Sequence, residues 1–195
     1  MNAAQKKNLF CTAETIADHL VFAWNYCATL RRLQHFAKQC PSVLDANGHF
    51  MSTIVFAMWD ALFLKLAHCS DKRREAIGFP ELFRQLRAYL PKGHELLGKV
   101  KEHEQRIHEM EPQKKVSNWR HQLLAHYTIH GSFDDFYKTN LCSLEEIESL
   151  ISKYDEILHT YSLPLLEQVF VVKDLGVQAA KGVDRFISCM KNESE

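Results

Sequence analysis

The apolar positions of this chain recur at the helical spacing of three and four residues over most of its length. The first such stretch runs from about Gln5 to Gln39, and its apolar stripe includes Leu9, Ile16 and Leu20. No stretch alternates between polar and apolar residues as a half-buried strand does, and 195 residues contain only seven Gly and five Pro. The pattern therefore predicts an all-α protein with more than about 60% helix, against about one third in ordinary domains.

Breaks at Gly, Pro and polar clusters divide the rest of the chain into further helices. Ser143 and Glu146 match a capping box and mark one helix start, whereas the loop predicted over residues 131–142 is rich in Gly, Ser and Asp. Pro164 is expected to kink or end the helix that contains it. The predicted segments are about Phe50 to Cys69, Glu81 to Leu90, His94 to Glu111, a helix that begins near Pro112, Ser143 to Ser162 and Leu165 to Met190.

The most apolar segment, residues 50–67, is predicted to be a central helix packed on several sides. Asp60 and Lys65 within it argue against a membrane span. The length fits one domain over residues 1–195, in which an amphipathic helix at residues 165–190 completes the bundle.

Composition narrows the classes of function. Lys plus Arg and Asp plus Glu both number 24, so the chain has no bulk positive field for extensive binding to duplexes or membranes. A site that touches a few phosphates stays open. Six cysteines without a Cys-x-x-Cys pair indicate reduced, cytosolic thiols. With no signal peptide evident at the start, we expect a cytoplasmic protein.

Arg120 is the residue that most needs an explanation. In the predicted helix it projects from an apolar arc that includes Val116, Trp119 and Leu123, with His126 and His130 at one edge. A permanent cation on such a face is costly unless something pairs with it. One interpretation is structural, a salt bridge to an acid of a neighbouring helix. The other is functional, because Arg and His together suit phosphate chemistry.

Cleavage of RNA by its own 2′-hydroxyl needs a proton acceptor, a proton donor and positive charge near the phosphorus. His exchanges protons near neutral pH, and the fork of Arg matches phosphate oxygens. Neither a metal nor a cofactor is required. Arg120 and His126 lie about 120° apart around one helix, so two copies meeting across a two-fold axis would serve one cleft better.

Each candidate residue also has an interpretation that does not involve this chemistry. A metal site at His126 and His130 lacks a third ligand at clear spacing, and solvated or hydrogen-bonded core histidines are the simpler interpretation. A Cys–His nucleophile pair is neither favoured nor excluded. Asp60 is interpreted as a buried carboxylate paired with Lys72, His68 or Arg120, or as a group that orients Arg120 or a catalytic His. The spacing of Arg120 and His126 alone also arises by chance among eleven His.

The stretch Arg120-His-Gln-Leu-Leu-Ala-His126 resembles the Arg-x(4–6)-His signature of the HEPN superfamily, in its abortive-infection (AbiU-like) branch. The helix from Met58 to Lys72 and the order of helices are similar to that branch too, over roughly residues 8–162. The resemblance implies an up-and-down bundle of about six to seven helices that forms a homodimer around the motif.

The resemblance also implies a function, a metal-independent endoribonuclease of phage defence or of a toxin–antitoxin pair. RNA would be the substrate, and an antitoxin or defence protein a further partner. Arg120 would stabilise the phosphate and His126 would transfer the proton. His121 stands where the nucleases of the family usually have Asn or Asp. His121 would substitute for that polar group, with Asp60 and His130 in support, or the chain would be a non-catalytic binding and dimerisation module.

Overall fold

The fold is all-α, as the sequence predicts. The computed structural model describes residues 1–39, 41, 48–73, 75–121, 133–172, 181–185 and 188. Of these residues 85% are helical, and none of them lies in a strand. Seven helices are bounded within this part of the chain: α1 (Ala3–Gln39), α2 (Gly48–Ser70), α3 (Phe79–Tyr89), α4 (Glu95–Glu109), α5 (Glu111–Trp119), α6 (Phe133–Asn140) and α7 (Leu144–Leu166).

The long helix α1 packs along both α2 and α7 and forms the centre of the bundle. The shorter helices follow in chain order, with α3 against α1 and α4, and with α5 against α2, α4, α6 and α7. Aromatic side chains fill the core between them, and Phe63, Phe83 and Tyr154 are fully buried. The placement of α5 between α2 and α7 brings Arg120 to the end of α2.

Gly78 allows the close approach of α3 to the end of α2. A Cβ at this position would lie 2.5 Å from the carbonyl oxygen of His68 and 2.7 Å from that of Cys69. Real Cβ atoms do not approach a backbone oxygen so closely, so any other residue would push the two helices apart. This contact fixes the backbone immediately before Asp71.

The capping box at the start of α7 is confirmed. The Ser143 hydroxyl accepts a hydrogen bond from the Glu146 backbone at 3.1 Å, and the Glu146 carboxylate accepts one from the Ser143 backbone at 2.7 Å. The helix continues past Pro164 to Leu166. It ends where Glu167 adopts a left-handed conformation with φ of 55°, which breaks the helical hydrogen bonding.

Two predictions about the second half of the chain are wrong. Residues 133–140 form α6 and not a loop, because Phe136 is buried against Trp119 with 5.6 Å between ring centroids. The C-terminal helix does not begin at residue 165, since residues 167–172 are not helical. Burial alternates along that segment. Phe170 contacts Phe10 and Val172 is buried, while Val169 and Val171 are exposed. An extended segment buries every second residue in this way.

Helix α2 contacts α1, α3 and α5, and one part of its apolar surface is left exposed. Phe50 and Phe56 are each 55% exposed and Leu64 is 39% exposed. Among the described residues it is the one helix long and apolar enough to cross a membrane, with a mean hydropathy of 1.5 over its 18-residue window. Core helices of soluble proteins pass the same test, so length and composition are weak evidence for a span. The exposed side chains leave an apolar face for another molecule to cover.

Candidate functional site

Arg120 extends α5, a helix with one buried and one polar face. Pro112 occupies the first turn, where a missing N–H costs nothing, and Val116 and Trp119 are buried as predicted. Arg120 keeps helical dihedral angles, and its backbone N–H donates to the carbonyl oxygens of Val116 and Ser117. Its side chain is only 22% exposed, so the expectation that this cation needs a partner is met.

The partner of Arg120 is Asp71, which follows the last residue of α2. One guanidinium nitrogen of Arg120 lies 3.0 Å from an Asp71 carboxylate oxygen. Arg73 holds the same carboxylate with its backbone N–H at 3.0 Å and with guanidinium contacts at 2.7 and 3.0 Å. A buried carboxylate between two arginines fixes the position of Arg120. The sequence had suggested Asp60 as the acid, and Asp71 takes that place.

The surroundings of Asp71 keep it ionised. Burial alone would raise its pKa, but hydrogen bonds from Arg73 and the charges of Arg120 and Arg73 outweigh that cost and lower the pKa below its ordinary value. The side chain is 4% exposed, so the charge is screened little by water. Asp71 therefore remains an anion at neutral pH and keeps its hold on Arg120.

Asp60 is half-buried and lies on α2, about three helical turns before Asp71. Its carboxylate accepts a hydrogen bond from the Trp119 indole N–H at 3.3 Å, and Trp119 also packs on Phe63 with 4.8 Å between ring centroids. None of the three partners expected for Asp60, namely Lys72, His68 and Arg120, bonds to it in the described part of the chain. Asp60 thus positions Trp119, the residue directly before Arg120, and contacts Arg120 only through this neighbour.

Two histidines beside the Asp71 network are held neutral. The rings of His19 and His68 lie 5.3 Å apart. Burial first, then the positive charge of Lys65 and the neighbouring His68, lower the pKa of His19 to about 4. Burial and the positive charge of Arg120 lower the pKa of His68 as well. With Asp71 and Arg73 these rings line a cavity of about 390 Å³.

The lowered pKa values of His19 and His68 predict that the stability of the fold depends on pH. Between about pH 6.5, the ordinary pKa of His, and about pH 4, the pKa of folded His19, the unfolded chain binds more protons than the folded one. The free energy of unfolding should therefore fall as the pH is lowered through that window. Urea denaturation from pH 7 to pH 4 measures it. His19→Asn should weaken the dependence and His35→Asn, at an exposed position, should not. Equal slopes for wild type and His19→Asn would refute the assignment.

The remaining site residues from the sequence divide into two groups. His126 and His130 lie outside the described residues. His121 is described and exposed, directly after Arg120. Among the residues that the structure describes, no three His, Cys, Asp or Glu side chains are grouped to hold a metal ion.

Sequence reasoning missed Asp71 and Arg73 as members of the site. The one available signal was that the Asp71-Lys72-Arg73 stretch directly follows an apolar helix.

Asp71, Arg120 and α5 also border a second, polar cleft of about 360 Å³. It lies between the end of α2, His108 of α4 and the polar face of α5. Lys72, Lys114 and Arg120 contribute positive charge to its walls. This arrangement can bind an anion next to a held guanidinium.

Comparison with known proteins identifies the family. The model of the HEPN family AbiU2 matches residues 13–186, and so continues past residue 162, where the resemblance noted in the sequence ends. No curated protein and no solved structure matches the chain. The match spans most of the chain and includes most of α1, the motif of Arg120 and His126, and α7. With its all-helical bundle and an Arg held at the end of α5, the chain belongs to the AbiU2 family of HEPN proteins, a family of the abortive-infection type.

Proposed function

We propose that this protein is a metal-independent endoribonuclease of a phage-defence or toxin–antitoxin system that acts in the cytoplasm. The observation that carries the proposal is Arg120, the first residue of the family motif. Its guanidinium is oriented by buried Asp71 and lines a polar cleft at the same time. An Arg has five N–H donors, and the pair with Asp71 engages one nitrogen. No second ion pair of this guanidinium is formed with a described residue, and we propose that its remaining N–H groups bind a phosphate.

The proposed reaction uses the 2′-hydroxyl of RNA as the nucleophile. His126 of one copy takes the proton of that hydroxyl while its oxygen attacks the phosphorus. The bond from phosphorus to the 5′-oxygen breaks, and a second His126 donates a proton to the leaving oxygen. Arg120 stabilises the charge on the phosphate oxygens. The products are a 2′,3′-cyclic phosphate and a 5′-hydroxyl.

Two copies of the chain are needed to bring two such pairs into one cleft. The exposed apolar side chains of α2 support a homodimer, because Phe56 and Leu64 lie on the same helical stripe as Asp60. Asp60 contacts Trp119, so this stripe runs beside the motif helix. We propose that a second copy covers it and that the two motif helices meet there.

Phe56→Glu is expected to produce a monomer that does not cut RNA. A carboxylate in the centre of an apolar interface is left without a partner, and leaving one buried charge unpaired is strongly unfavourable. Sedimentation at micromolar concentration measures the assembly. Leu163→Glu is the matched control, since Leu163 is 54% exposed on α7, and it should remain dimeric. Wild-type protein that sediments as a monomer, or an unaffected Phe56→Glu dimer, contradicts this interface.

The nuclease is tested by expression and by cleavage. Expression of the wild type should arrest growth, and the purified protein should cut single-stranded RNA in EDTA with an optimum near neutral pH. Arg120→Ala should relieve the arrest and lower the cleavage rate by about 10²–10³-fold, as loss of one charge-stabilising donor does. Arg31→Ala removes an exposed arginine elsewhere and should change neither.

The alternative is a binding module without catalytic activity. His121 favours it, because that position holds Asn or Asp in the nucleases that the motif resembles. Dimeric wild-type protein that cuts no RNA and arrests no growth would establish the module in place of the nuclease. Binding to an antitoxin or another defence protein would then be its activity.

A further inference from the structure

The polar cleft beside Arg120 has the chemistry of a phosphate-binding surface. Three elements that meet at the end of α2 form its walls. The lining side chains that can donate a hydrogen bond or carry positive charge include Lys72, His108, Lys114, Ser117, Asn118 and Arg120. Lys114, Ser117 and Asn118 share one face of α5. The buried side of the same helix, with Val116 and Trp119, faces the core.

The charge of this cleft is positive although the chain has no net charge. Lys72, Lys114 and Arg120 line it, and Asp71 is the one acid among its described lining residues. Asp71 is already held by Arg73 and Arg120. Lys72 makes no ion pair with a described residue. Lys114 pairs with Glu111 one turn away, an exposed contact that a ligand displaces at little cost.

Hydrogen bonds of a buried glutamine orient the Ser117 hydroxyl, so that it can donate to an anion in the cleft. Gln113 is 4% exposed, and its amide is fixed because the Tyr154 hydroxyl donates to its oxygen. The amide nitrogen of Gln113 donates to the Ser117 hydroxyl at 2.7 Å. A hydroxyl that accepts from an amide keeps its own proton for donation. Ser117 can therefore donate to an oxygen of a bound anion.

We infer that this cleft binds the phosphate backbone of single-stranded RNA next to the scissile phosphate, with Lys72 and Lys114 as phosphate contacts. The inference rests on the proposed function for the identity of the strand. Phosphodiesters supply acceptor oxygens with negative charge, which match two ammonium groups, a guanidinium and a hydroxyl donor. A volume of about 360 Å³ holds a part of the strand and not a folded partner.

The test measures binding apart from cleavage. A fluorescein-labelled RNA dodecamer with 2′-fluoro groups lacks the attacking hydroxyl, so its affinity is followed by fluorescence anisotropy over a range of KCl concentrations. Lys72→Ala and Lys114→Ala should each weaken binding severalfold. Each should also reduce the slope of log affinity against log salt by about 0.7, the value for one phosphate contact of a single strand. Lys7→Ala, at an exposed position of α1, should keep the wild-type slope.

The outcomes separate the two proposals. Wild-type slopes in both cleft variants, slopes lowered equally by Lys7→Ala, or no binding of the dodecamer by the wild type would overturn the inference. Cleavage of ordinary RNA would still support the nuclease in each case. Salt-dependent binding that needs Lys72 and Lys114, in a protein that never cuts RNA, would keep the inference and overturn the nuclease.

Discussion

His126→Ala is expected to lower the rate of RNA cleavage by about 10³-fold or more, since a general acid–base group contributes about 10²–10⁴-fold. In the proposed dimer this substitution removes the proton acceptor and the proton donor together, because each is the His126 of one copy. The rate is measured with a fluorophore–quencher RNA in EDTA. If the variant sediments in the same assembly state as the wild type, the loss of rate is due to the chemistry and not to the assembly.

His130→Ala is the matched control for this prediction. It removes an imidazole four residues further along the chain, and it should leave most of the rate intact because the motif ends at His126. A protein in which His126→Ala cuts RNA as fast as the wild type would have its active site elsewhere. Equal losses in both variants would mean that the two histidines share the role.

Asp71→Asn is expected to have the largest effect on the folded protein. Asn keeps an acceptor oxygen but loses the charge that two arginines share. Breaking a buried pair costs about 3–5 kcal/mol, and we expect on the order of 2–3 kcal/mol here because one of the two arginines is largely exposed. Urea denaturation measures the loss. Cleavage should also fall, through a lower kcat, because Arg120 is no longer held in place.

Asp60→Asn is the comparison that isolates this charge effect. Its carboxylate is half-buried and accepts one hydrogen bond from Trp119, which the Asn oxygen can still accept. The expected cost is below about 1 kcal/mol. If Asp60→Asn destabilises the protein more than Asp71→Asn, then Asp60 is the acid that anchors the site, as the sequence had suggested.

The parts of the fold that the sequence predicts are those with a local cause. The Ser143 and Glu146 capping box sets the start of α7 through contacts within four residues, and the stripe of α1 is visible in the chain itself. Helix α6 was missed because its local composition favours a loop. Burial of Phe136 against Trp119 decides its structure, and that contact joins residues from two helices.

The sequence predicted that Arg120 belongs to the candidate site, but it did not predict which acid pairs with it. Val116 and Trp119 show that the face around Arg120 is apolar, so the need for a counter-ion followed from the sequence. The identity of that counter-ion did not, because Asp71 meets Arg120 only after α5 packs on α2. The sequence also did not predict that Phe56 is exposed. An apolar helix pattern alone does not show which of its side chains the rest of the chain covers.

The ends of the RNA products formed in EDTA test the central claim most directly. Attack by the 2′-hydroxyl under the control of Arg120 and His126 predicts a 2′,3′-cyclic phosphate and a 5′-hydroxyl at every cut. A strand with a single 2′-deoxynucleotide at a cleavage site should resist cutting there and nowhere else. Products with a 5′-phosphate and a 3′-hydroxyl, or cuts after the 2′-deoxynucleotide, would contradict this account.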